Sequence, residues 1–124
     1  MKTELLSFNI AGVSFRPQDD IDALSTTGEK IRLVFDPTNP YDANAIRVEC
    51  EFILEKGDDG TPLKAEWRHI GFVPKKNYAA VHLFRKAKIP LLYTLFVNHD
   101  AAPQDKCLVR VYFDGDEAAE IINA

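Results

Sequence analysis

Phe35-Asp36-Pro37-Thr38-Asn39-Pro40-Tyr41-Asp42-Ala43-Asn44-Ala45-Ile46-Arg47-Val48 reads as the end of one strand, a turn and the start of the next. Upstream of it, Ile31, Leu33 and Phe35 alternate with Arg32 and Val34, so Lys30 to Phe35 has the period of a half-buried strand. Pro37 and Pro40 fix their own φ, and the Asp and Asn side chains between them can close local rings, which makes 36–42 a turn cluster. Extended sequence resumes from Ala45 to Leu54.

Working outward, Lys56-Gly57-Asp58-Asp59-Gly60 is a tight hairpin signal, and a strand from Leu63 to Val73 returns from it. At Pro74 the apolar period changes from two to about 3.6. Ala80, Leu83, Phe84 and Ala87 form one helical stripe, Pro74 suits the first turn, and Pro90 ends the helix. Leu91 to Val97 and Cys107 to Phe113 read as two further strands around a 98–106 loop. At the other end, Leu6, Phe8 and Ile10 alternate, and Gly12 to Arg16 continues the extended pattern up to Pro17 and an acidic loop. The expectation is a mostly β chain of about six strands with one main α-helix, folded as a single domain over 1–124. Many short antiparallel strands most easily close as a small barrel, which removes exposed edges.

Composition narrows the classes. With 46% hydrophobic and 27% charged residues in 124, the chain has ordinary globular usage and enough length for its own core. Its longest nearly unbroken apolar stretch, Ile89 to Val97, is about half of the roughly 20 residues that span a bilayer, so no membrane role is expected. No secretory leader pattern opens the sequence, and a cytoplasmic location is expected. Cys50 and Cys107 are too far apart for a CxxC pair, and read as reduced, buried thiols, with a bridge between them as the alternative. The net charge of −4 hides a segregation: residues 61–90 carry seven basic side chains against Glu66 alone. Such a basic island suits a phosphate ligand, although a solvated helix face would look the same.

Catalytic signatures are missing. No glycine loop precedes a Lys-Ser or Lys-Thr pair, Gly12-Val13-Ser14-Phe15-Arg16 fails the nucleophile-elbow pattern at its last position, and His69, His82 and His99 keep no metal-site spacing. Asp19-Asp20 and Asp58-Asp59 are adjacent pairs in loop-like sequence and read as solvated turns. The chain is expected to be no enzyme and to need no cofactor or metal.

The 35–48 stretch, followed by Ile70-Gly71-Phe72-Val73-Pro74-Lys75 and preceded by Ile10-Ala11-Gly12-Val13-Ser14-Phe15-Arg16, resembles the signature of the HIRAN domain family over most of residues 6–97. That resemblance implies an OB-like β-barrel with one packed helix. It also implies a DNA-binding module of repair and replication-fork processing that recognises single-stranded DNA 3′ ends. A helicase or other replication or repair protein is the companion it implies.

The residue types fit that chemistry. Tyr41 and Phe15 offer faces on which bases stack, worth roughly 1–3 kcal/mol per base in any sequence. Asp42 repels an internal phosphodiester but accepts from a terminal hydroxyl, so an acid here would read an end. Lys75, matching the family's basic position at the helix start, and its neighbour Lys76 would hold phosphates. Ser14 stands where characterised end-binders have a basic residue, and Arg16, two positions on along an extended strand, would reach the same face. Phe15 lacks the family tyrosine's hydroxyl, and Phe72 occupies a position that is often His.

Plainer roles exist for the same residues. Tyr41 could be a half-buried barrel aromatic, Asp42 and Asn44 could satisfy turn amides, and Phe15 and Phe72 could be core. Gly12 and Gly71 read as sites of a bulge or close packing, and Trp67, beside Arg68, as core or an edge anchor rather than a base platform. The second functional reading is a protein-interaction domain that recruits a replication or phage partner through its acidic flanks and a barrel edge.

Overall fold

The computed structural model describes residues 2–25 and 30–114. Its strands are β1 (Lys2–Asn9), β2 (Ile31–Phe35), β3 (Ile46–Lys56), β4 (Pro62–Phe72), β5 (Leu91–Val97) and β6 (Cys107–Asp114). Helices α1 (Gln18–Asp22), α2 (Tyr78–Lys86) and α3 (Pro103–Lys106) lie between them, so the acidic loop and the 98–106 loop each contain a short helix. All strand pairs are antiparallel, in two three-stranded sheets ordered β1-β6-β5 and β2-β3-β4.

The six strands and the OB-like class agree with the sequence reading, but the barrel is not closed among the described residues. The sheets join at an isolated bridge, where Ala11 and Phe72 exchange N–H···O bonds of 2.8 Å each. The reason lies at Gly12, whose φ of 76° turns the chain out of extended conformation. Phe15 N–H then bonds Gly12 O at 3.0 Å, and Val13–Phe15 is a 3-10 turn instead of a continuing strand. Serine and arginine at 14 and 16 therefore do not share a strand face.

Period-two burial builds the core. Ile46, Val48 and Cys50 on β3, Leu95 and Val97 on β5, and Val109 and Val111 on β6 are buried in one cluster. Cys107 joins them, and burial pushes its thiol pKa up to about 11. On α2 the buried stripe differs from the expected one. Val81 is buried and Tyr78 and His82 are half-buried, while Leu83 is 62% exposed and Ala87 is also exposed. Lys75–Asn77 forms a 3-10 turn after Pro74, and its three residues per turn advance the helical phase before α2 begins.

Candidate nucleic-acid interface

The turn between β2 and β3 is held by its own side chains. Asp36 carboxylate oxygens accept from Thr38 Oγ1 and Asn39 Nδ2, each at 3.3 Å. Asn39 Oδ1 accepts the backbone N–H groups of Tyr41 at 2.9 Å and Asp42 at 3.1 Å, and Asp42 Oδ1 accepts that of Asn44 at 2.9 Å. Asp36 N–H to Ala45 O at 3.0 Å closes the base. Asp42 thus does satisfy a turn amide, while a carboxylate retains further acceptor sites. Tyr41 is no barrel aromatic: it is 96% exposed at the tip of this turn.

Asn39, Tyr41, Asp42, Ala45, Phe72, Lys75 and Tyr78 line an open cavity of about 210 Å³. Four side chains singled out in the sequence, Tyr41, Asp42, Phe72 and Lys75, therefore meet in one place. Tyr78, which the sequence reading missed, completes the wall. Its phenol pKa is raised by burial first and then by its nearness to the Asp42 carboxylate. Its position three residues after Lys75 was the available signal.

Phe72 reaches this wall because of Gly71. A Cβ at Gly71 would lie 2.2 Å from Ile10 Cγ2 and 2.7 Å from Ala11 O, and φ there is 154°, so only glycine lets β4 approach Ala11. The β3–β4 register shifts between Val48 and Glu49, opposite this point, and the bulge brings Phe72 against His69, ring centroids 4.6 Å apart. His69 Nε2 lies 2.8 Å from Gly71 O, which its N–H can reach as donor. Burial, then the positive charge of Arg16, lower the His69 pKa.

Phe15, 88% exposed, and Lys76 line a neighbouring cavity of about 430 Å³ with Gly12, Ser14, Pro74 and Asp105. Phe15 is thus not core. Arg16 enters neither cavity, since its Nε donates to His69 O at 3.1 Å. Within the basic island, Arg68 is paired with Asp20 at 2.8 Å and Arg85 lies 4.0 Å over the Phe35 ring. Lys75 and Lys76 are exposed beside the cavities.

The HIRAN domain family model matches residues 3–114. No curated protein matches the sequence. Among solved structures, the crystal structure of the HIRAN domain of human HLTF is similar at 16% identity, covering 98% of this chain and 88% of that one with a TM-score of 0.52. At that identity the likeness speaks for the fold. The family match, running from β1 to β6, speaks for the sequence: the chain belongs to the HIRAN domain family.

Proposed function

We propose that this chain is a non-enzymatic module that binds single-stranded DNA at its 3′ end, in DNA repair or replication-fork processing, alongside a helicase or similar protein. The observation that carries the reading is the convergence of Tyr41, Asp42, Phe72 and Lys75 on one open cavity. Tyr41 and Phe15 are exposed rings, which water leaves free to stack on terminal bases. Asp42 would accept from the 3′-hydroxyl, and its charge would turn away an internal phosphate. Lys75 and Lys76 would neutralise about two phosphates, giving a log-affinity slope against log salt near −1.4.

Competition between strands with and without ends tests this. A linear single strand with a free 3′-hydroxyl should displace a labelled oligonucleotide far better than a circle of the same sequence. Equal competition would remove end recognition and leave plain strand binding.

A further inference from the structure

The outer face of the β2-β3-β4 sheet carries polar and aromatic residues that the end cavity does not use. Arg32 donates from Nε to Glu49 Oε1 at 2.8 Å, and Arg47 reaches Glu49 Oε2 at 3.2 Å. Glu49 is 7% exposed, whereas the Arg32 and Arg47 side chains are 48% and 36% exposed. The Arg47 Nε is buried without an acceptor among the described residues, so it is the outer nitrogens of this guanidinium that reach the surface. The Arg32 guanidinium lies 4.3 Å over the half-buried Trp67 ring, with Lys30 Nζ at 5.8 Å. Lys30, Arg32 and Arg47 face Glu49 and Glu51, and Arg16 lies at the β4 edge on the His69 carbonyl.

This face is continuous with the cavities. Arg47 sits directly across from Phe72, and Glu49 from His69. Arg16, next to Phe15, is bonded to His69, whose titration also feels Arg47 and Glu49. From Phe72 to Trp67 along β4 is about 16 Å at 3.3 Å per residue. That is room for at most about five nucleotides at 3.4 Å per stacked step.

We infer that this face is a second binding track, taking the nucleotides that precede the terminus of a bound single strand. Arg16, Arg47 and Lys30 contact its phosphates, and a base stacks on the Arg32 guanidinium plane that covers the Trp67 ring, so that Trp67 takes part in a base platform after all. An arginine already held by a carboxylate and an indole spends little further side-chain entropy on stacking a base. This deepens the end-binding reading and rests on it for the strand's direction.

Trp67 is the chain's one tryptophan, so its fluorescence reports on this track alone. The full chain is titrated with 3′-hydroxyl single strands of ~3 and ~12 nucleotides, binding being read separately by anisotropy of the labelled strand. Quenching by the longer strand only is the expected result. Trp67→Ala should weaken the longer strand about tenfold and leave the shorter unchanged, and Trp67→Phe should retain most of the affinity. Arg32→Gln, which leaves the indole in place, should lower both the quenching and the salt slope. If both strands bind by anisotropy but Trp67 is not quenched and its alanine variant binds normally, the track is wrong and end binding stands. If the longer strand quenches equally with a 3′-hydroxyl or as a circle, the track stands and the end reading falls. Absence of binding by either strand overturns both.

Discussion

Tyr78 and Asp42 line one wall of the same cavity, the phenol close enough to the carboxylate for that negative charge to raise its pKa, so α2 meets the turn between β2 and β3 here. His82, one helical turn on, makes the tie: its Nε2 lies 3.2 Å from Asn44 O. The helix therefore holds the turn that presents Tyr41 and places a phenol beside its acid.

Tyr78→Phe removes the hydroxyl beside Asp42 and keeps the ring. The expected loss is about 0.5–1.5 kcal/mol of folding stability, seen in denaturant melts. Asp42 also loses its polar neighbour on the cavity wall, so affinity for a 3′-hydroxyl strand should fall about 2- to 10-fold in anisotropy titrations. An unchanged melt and unchanged affinity would mean that the turn holds Asp42 without help.

Gly71→Ala should be far more damaging than its size suggests. The added methyl meets Ile10 Cγ2 and Ala11 O, so the bridge joining the two sheets must part. The expected cost is roughly 2–4 kcal/mol, from overpacking and backbone strain together. Thermal melts measure it, and a loss below about 0.5 kcal/mol would show that the sheets do not depend on this approach.

How much of this was legible in the sequence depended on how locally each feature is determined. The strands on either side of the 36–42 turn, and Leu91–Val97 as a whole, follow from alternation that no distant contact overrides. The turn residues closed the local rings their side chains allow. The strand expected through Phe15 failed because one glycine can turn the chain, and nothing in Gly12-Val13-Ser14-Phe15-Arg16 says which way it takes. The helix phase failed for a similar reason: two alanines in a stripe bury little, so Val81 and the preceding 3-10 turn decided which face packs. In the candidate site, Tyr41, Asp42, Phe72 and Lys75 were legible through their motif. Tyr78 was marked only by its spacing from Lys75, since its place beside Asp42, 36 positions away, depends on how β3 and β4 of one sheet fold between them. Arg16 was assigned by strand geometry, and lost that basis with the strand.

His69 gives the fold a pH dependence of known sign. Its folded pKa lies below the ordinary 6.5, because burial and Arg16 disfavour the imidazolium. Above 6.5 the ring is neutral in folded and unfolded chains alike and carries no penalty. As pH falls below 6.5 the unfolded chain takes up the proton first, and stability drops until the folded value is also passed. Between about pH 7.5 and 5, the melting temperature of the native chain should fall further than that of His69→Gln. Parallel curves for the two would remove His69 as the cause.

The most direct measurement compares one single strand ending in a 3′-hydroxyl with the same strand ending in a 3′-phosphate, against the native chain and Asp42→Asn. Asparagine can still accept the Asn44 amide, so the turn should persist while the charge is lost. The native chain should bind the hydroxyl end about tenfold or more tightly, and Asp42→Asn should close most of that gap. Equal affinity of the native chain for both ends, or an undiminished gap in the variant, would contradict a carboxylate that reads the terminus.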